Sequence, residues 1–159
     1  MDNNYPRKQL SITMNKSAQQ IQIQKFIETC REKKLPITPQ KIEIFTYLIS
    51  TTIHPSAEKI WKEVQDVFPT ISFATVYKNL KKFKDLGFIR EIAMKDGTTR
   101  YDADMTPHHH VIHIENKKIW DVQPEEIGNF ATPSLAKQFK IENVSVNFFV
   151  SGKRNSVLQ

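Results

Sequence analysis

The chain has 159 residues, room for one domain or two small ones and too few for a large multidomain enzyme. Its 39% hydrophobic and 10% aromatic residues with only 4 glycines exclude disordered and fibrous classes, and no apolar run nears the roughly 20 residues that span a bilayer. Lys and Arg number 23 against 17 Asp and Glu, a net charge of +6 that favours polyanionic partners.

From Ala18 to about Lys33, Ile23, Phe26, Ile27 and Cys30 follow the spacing of one buried helical stripe and predict a first helix. Thr38 can cap, and Pro39 suits the first position of, a second helix running to about Ser50, with Ile42, Phe45, Leu48 and Ile49 inward. Ser56 opens a third helix, in which Ala57, Ile60, Trp61 and Val64 precede a stop at Pro69. Ser72 caps a fourth that reaches Leu86, with Gly87 placed for a left-handed C-terminal residue. On this helix Phe73, Val76, Leu80 and Phe83 share a packing sector, while Thr75, Lys78, Lys81 and Lys82 point the other way, with Tyr77 at the margin. Phe88–Met94 and Thr98–Ala103 read as strands around an Asp96-Gly97 hairpin turn. Met105-Thr106-Pro107 is a connector. It separates a domain over 1–104 from a smaller one over 108–159. There Val111–Ile114 and Lys118–Val122 are expected strands, and Pro124 to Gln138 one or two short helical pieces. Val144–Val150 is an expected half-buried strand, and Ser151–Gln159 a solvated tail. The fold class is α+β: an N-terminal winged helix followed by a small C-terminal α/β domain.

Short helices followed by a Gly-turn hairpin put the fourth helix in position to enter a DNA groove while the hairpin approaches the backbone. Residues 1–104 carry 17 basic and 12 acidic side chains, a balance of +5, whereas residues 105–159 carry 6 and 5, a balance of +1. Candidate DNA contacts are Ser72, Thr75, Tyr77, Lys78, Asn79, Lys81 and Lys82 on the helix, with Arg90, Lys95 and Arg100 on the hairpin. A lysine-rich helical face is also what solvated surface looks like, and a winged-helix module binding an acidic protein is a competing reading.

Cys30 is the single cysteine, which excludes an internal disulfide and paired Cys-x-x-Cys zinc sites, and leaves nitrogen and oxygen donors for any metal. Four of the 5 histidines, His108, His109, His110 and His113, lie within six positions. In extended chain His108 and His110 project together as a chelating pair while His109 faces away. Asp102, Asp104 and Asp121 are the nearby carboxylates, a donor set that suits manganese, iron, zinc or nickel. The competing readings are an exposed polar loop with adventitious metal affinity and a non-haem iron enzyme with a two-histidine, one-carboxylate triad. Spacing assigns His54 no role, and Cys30 reads as core packing.

Thr38-Pro39-Gln40, His54-Pro55-Ser56-Ala57, the run from Ser72 to Leu80, Gly87-Phe88-Ile89, Arg100-Tyr101-Asp102 and His108-His109-His110 together resemble the ferric uptake regulator family. The resemblance covers roughly residues 20–150. It implies a homodimeric, metal-responsive repressor, not an enzyme, in the cytoplasm, with double-stranded operator DNA as partner and neither a membrane nor a small-molecule substrate. Carried over by position, the regulatory metal site falls on His54, Asp102, His108, His110 and Asp121. Asp in place of Glu at 121 resembles the family's peroxide-sensing branch. The implied ions are Fe(II) or Mn(II), with Zn(II) possible in vitro, and the implied oxidation targets are His54 and His108. An iron-, manganese- or zinc-responsive repressor without peroxide sensing is the alternative within the family. Many relatives hold a structural zinc with four cysteines; here His113 and Asn116 replace the first pair and the second is missing, so no such zinc is expected. The dimer is expected to rest on Val144–Val150, with Phe148 and Phe149 in or near the interface. His109 and His113 are expected to be solvent-exposed polar residues, with a secondary metal site, as some relatives have near this segment, as the alternative.

Overall fold

The computed structural model describes residues 16–127, 133–141 and 144–152. Four helices come first: α1 (Lys16–Glu32), α2 (Pro39–Ser50), α3 (Ala57–Gln65) and α4 (Phe73–Asp85). Strands β1 (Arg90–Ala93) and β2 (Thr99–Asp102) form a hairpin, then β3 (His109–His113), β4 (Ile119–Val122), α5 (Pro124–Ile127), α6 (Pro133–Gln138) and β5 (Asn147–Val150) follow. The chain divides into two compact units. One holds the four helices and the base of the hairpin; the other holds the hairpin tip, Ala93–Thr98, together with everything from Met105 onward.

In the helical unit the termini form where the sequence supplies caps. The hydroxyls of Thr38, Ser56 and Ser72 accept from the amides of Lys41, Lys59 and Thr75 at 3.3, 3.2 and 3.1 Å, pairing N–H groups of the first helical turn; the Thr75 amide shares its bond with the Ser72 carbonyl at 3.1 Å. At the end of α4, Gly87 takes φ +75°, and the Gly87 and Phe88 amides donate to the Lys84 and Phe83 carbonyls, both at 2.9 Å. This paired closure needs a left-handed residue, which glycine adopts without a Cβ clash. The core is aromatic. Phe26 stacks on Phe45 with ring centroids 4.5 Å apart, and Phe83 and Phe88 meet Phe26 edge-on at 5.1 Å. Ile44, Leu48, Ile60, Val64, Val76 and Leu80 fill the space around them, with Cys30 fully buried in the same cluster as expected. Trp61 donates its indole N–H to the Ile71 carbonyl at 2.9 Å, fixing the turn that leads into α4.

The expected packing face of α4 is corrected at one residue: Phe73 is 43% exposed while Val76, Leu80 and Phe83 are buried. It is the first residue of the helix, beyond the reach of the core, and its ring lies against Trp61 at 5.9 Å and Tyr77 at 6.4 Å. The hairpin strands are shorter than expected, and the turn is a three-residue loop. Gly97 alone takes a left-handed φ, +80°, with the Met94 amide bonded to the Thr98 carbonyl at 2.9 Å and the Gly97 amide to the Met94 carbonyl at 3.1 Å.

The second unit is built on a sheet of order β4-β3-β5. Strand β3 runs antiparallel to β4, with His110 opposite Asp121, and parallel to β5, with His110 opposite Asn147. Ile112 and Ile119 are its buried apolar residues. The strand expected over Val144–Val150 is laddered only from Asn147, whose parallel pairing with His110 is made through the Val146 carbonyl, which accepts the His110 amide at 3.0 Å. In this unit the hairpin tip is tied down by an ion pair of 2.6 Å between Asp96 and Lys117 and by the Lys95 ammonium 5.0 Å from the Phe149 ring centroid. Hydrogen bonds from Lys117 and Thr98 hold the Asp96 carboxyl well below the usual carboxylate range. The region around Gly128 and the tail from residue 153 onward lie outside the described residues. Among the described residues, no helix is long and apolar enough to cross a membrane.

Candidate functional site

The C-terminal unit brings together His108, His110 and Asp121. Period-two alternation turns His108 and His110 to one side, and the β3–β4 register sets Asp121 beside them. The two Nε2 atoms stand 3.0 Å apart, with Asp121 Oδ1 3.7 Å from the first and 3.8 Å from the second. Both imidazoles are almost wholly buried, and their planes are steeply inclined at 80°.

Hydrogen bonds on the far side of each ring say what these nitrogens are. His108 donates Nδ1–H to the Thr106 carbonyl at 2.9 Å, and His110 donates Nδ1–H to Asn147 Oδ1 at 3.2 Å. With one N–H on each neutral ring, these contacts favour the proton on Nδ1 and leave each Nε2 as the nitrogen available to a ligand. The two Nε2 atoms, 3.0 Å apart beside Asp121, make a nitrogen and oxygen donor set of the kind that suits a divalent metal. One ligand atom from each of His108, His110 and Asp121 lies within 4.8 Å of the others.

The expectation for His109 and His113 is overturned. His109 is buried, and its Nδ1 accepts the Val146 amide N–H at 3.1 Å. His113 is half-buried: its Nδ1 accepts from the Glu115 and Asn116 amides at 3.3 and 3.4 Å, and its Nε2–H donates to the Gly152 carbonyl at 2.8 Å. Both serve as hydrogen-bonding braces, because the turn after β3 and the chain flanking β5 have backbone groups to satisfy.

The helical unit carries His54 and Asp102 on two segments that meet: the chain at Ser56 pairs antiparallel with Arg100, and the Tyr101 amide donates to the Pro55 carbonyl at 3.0 Å. His54 is buried and holds φ +50°, a left-handed conformation uncommon outside glycine. Such strain persists only where the surroundings fix it, often at functional positions. Asp102 is buried too: its Oδ1 accepts the Asp104 amide at 2.8 Å and its Oδ2 lies 3.6 Å from Arg90 Nε. Arg90, expected at DNA, therefore directs its charge into this unit with its side chain 15% exposed.

On α4, Ser72, Thr75, Tyr77, Lys78 and Lys81 are exposed, and Asn79 and Lys82 half-buried. The Ser72 and Thr75 hydroxyls lie 2.8 Å apart, and Asn79 donates its amide to the Thr75 carbonyl at 2.9 Å. Lys95 is exposed at the hairpin tip and Arg100 half-buried on β2. Two working roles are invisible along the sequence. Arg90 shows there only as a charge, and Asn147 stands 37 residues from the histidine it holds, with only the strand periodicity around it as a signal.

A winged helix joined to a small sheet that carries a converging histidine and aspartate set defines the class. The chain belongs to the ferric uptake regulator family, which it matches over residues 32–149. It is 38% identical over 107 residues to the peroxide-responsive repressor PerR of Staphylococcus aureus strain Mu50, covering 67% of this chain and 72% of that protein. The ferric uptake regulator Fur of Helicobacter pylori, whose structure is described as revealing three functional metal-binding sites, superposes with a TM-score of 0.75. That match has 22% identity and covers 85% of this chain and 91% of the other. PerR of Streptococcus pyogenes, described in terms of peroxide sensing and gene regulation, superposes with a TM-score of 0.50 at 33% identity, covering 80% and 88%.

Proposed function

We propose that this protein is a homodimeric, metal-dependent DNA-binding repressor that senses peroxide. The observation that carries the reading is the pair of Nε2 atoms 3.0 Å apart beside Asp121, a donor set that suits Fe(II) or Mn(II). His54 and Asp102, from the helical unit, complete the ligand set by the family pattern. An ion held by this full ligand set would fix the angle at which a dimer presents its two α4 helices. Operator DNA reads that angle, because half-sites repeat at the helical spacing of the duplex.

Each residue has a part in this. His108 and His110 supply nitrogen from rings whose tautomers are locked by Thr106 and Asn147, and Asp121 supplies a carboxylate oxygen. Iron held by these residues would supply the reactivity toward hydrogen peroxide, with peroxide as the oxidant of His54 or His108; manganese would be held by the same residues without that reactivity. An oxidised imidazole loses basicity and hydrogen-bond complementarity, so the ligand set opens and the operator-fitting pose is no longer favoured. At DNA, Lys78, Lys81 and Lys82 neutralise phosphates, with Lys95 and Arg100 on the hairpin, while Ser72, Thr75, Tyr77 and Asn79 reach phosphate or base edges. Arg90 contributes chiefly by neutralising Asp102.

His110→Ala should abolish metal-dependent retardation of an operator fragment; retardation by manganese that survives this change would refute the site. Mass spectrometry after peroxide should find one added oxygen on a histidine of the iron-loaded protein and none on the manganese-loaded protein. Oxygen in neither sample, with DNA binding still metal-dependent, would make the protein a metal-responsive repressor without peroxide sensing.

A further inference from the structure

Three consecutive histidines in this chain carry their protons differently. His108 and His110 hold theirs on Nδ1, facing the Thr106 carbonyl and Asn147 Oδ1. His109, between them, must hold its proton on Nε2, because its Nδ1 accepts the Val146 amide N–H at 3.1 Å. Two adjoining residues at the start of β5, Val146 and Asn147, therefore set opposite tautomers on neighbouring rings. The backbone reinforces the arrangement: the His110 amide donates to the Val146 carbonyl at 3.0 Å, and the parallel register places Asn147 beside His110.

We infer that Asn147 is a positioning residue for the metal centre, whose side-chain carbonyl holds His110 Nδ1–H and so delivers His110 Nε2 as an unprotonated ligand nitrogen. The inference rests on the metal-centre reading above and deepens it. His108 takes its orientation from a main-chain carbonyl, which no substitution can remove, whereas His110 takes its orientation from a side chain 37 residues away. Losing Asn147 Oδ1 frees the ring to carry its proton on Nε2 or to turn, and each of those removes a donor from the site. An amide also tunes the ring differently from a carboxylate. A carboxylate partner would draw the imidazole proton harder and raise the basicity of Nε2. Asn147 accordingly sets an intermediate grip, suited to a site that must exchange its ion.

The test compares wild type with Asn147→Leu and Asn147→Asp. Long-range proton–nitrogen correlation spectra of the metal-free proteins should place the His110 proton on Nδ1 in wild type and Asn147→Asp, and on a mixture of both nitrogens in Asn147→Leu. Mn(II) affinity, read from free ion by electron paramagnetic resonance, should fall about 10- to 100-fold in Asn147→Leu and be equal or tighter in Asn147→Asp. Asn147→Thr, a strand former whose hydroxyl stops short of the ring, takes the place of Asn147→Leu if that variant does not fold. An Nε2–H tautomer of His110 in metal-free wild type, or unchanged Mn(II) affinity in Asn147→Leu, would overturn the inference. Wild type that binds no Mn(II) at all would overturn the proposed function instead, while the metal-free spectra still decide the role of Asn147.

Discussion

Arg90 and Asp102 place opposite charges in the buried part of the helical unit. Asp102 is 6% exposed with Arg90 Nε 3.6 Å away, so Arg90→Met leaves a buried carboxylate without its cation. The cost should be about 3 kcal/mol, the lower end for breaking a buried pair because the separation is long. If Asp102 is a metal ligand, Mn(II) should restore part of that loss in thermal unfolding, and a variant as stable as wild type would show that the pair carries no weight. Tyr101 gives a second measurement. Its phenol is buried, and burial, with the nearby Glu91 charge as the next cause, pushes its pKa up to about 12. The folded state thus binds this proton more tightly than the unfolded chain, where tyrosine titrates near about 10. Its contribution is whole below pH about 10 and is lost as pH rises toward about 12. Tyr101→Phe should flatten the alkaline limb of a stability–pH profile in that window; an unchanged limb would assign alkaline unfolding to other groups.

Among the elements, α4 is central to the proposed function and is the most legible from sequence. Its cap, its left-handed stop at Gly87 and its buried residues Val76, Leu80 and Phe83 all follow from spacing and residue type. Phe73 does not follow, since periodicity assigns a side of the helix but not how far the core extends along it. Ser72→Ala should cost about 1 kcal/mol in chemical denaturation, because the Thr75 amide loses its side-chain acceptor and keeps only the Ser72 carbonyl. Replacing Lys78 and Lys81 together should weaken operator binding and lower the slope of log affinity against log salt by about 1.8 in magnitude, about 0.9 for each phosphate no longer neutralised. An unaltered slope would remove both lysines from the DNA surface. The hairpin turn is legible as a turn but not in its type, because Asp96-Gly97 permits both a two-residue and a three-residue loop. The side-chain and backbone bonds from Asp96 to Thr98, with Gly97 alone left-handed, decide for the longer one.

For the whole molecule, the missing cysteine pairs have a counterpart in hydrogen bonds. His113 ties the β3–β4 turn to the Gly152 carbonyl, beyond the end of β5, without thiolate. We propose that the dimer forms through β5, the edge strand whose Phe149 and Val150 remain 38% and 37% exposed. Sedimentation of chelator-treated protein at micromolar concentration should still show a dimer; a monomer would require a metal in the interface.

Sequence by itself determined the order of elements, the winged-helix character of the first unit and the placing of His108 and His110 on one side of their strand, because caps, periodicity and alternation are local properties of the chain. Family resemblance added His54, Asp102 and Asp121 as ligand positions, which spacing could not supply. Tertiary structure alone decided the protonation pattern of the two imidazoles, the partner of His110 at Asn147, the inward bracing of His109 and the neutralisation of Asp102 by Arg90. Those are properties of strand register and burial, set by residues distant in the chain, and a pattern read along one segment carries no record of which strand will lie beside it.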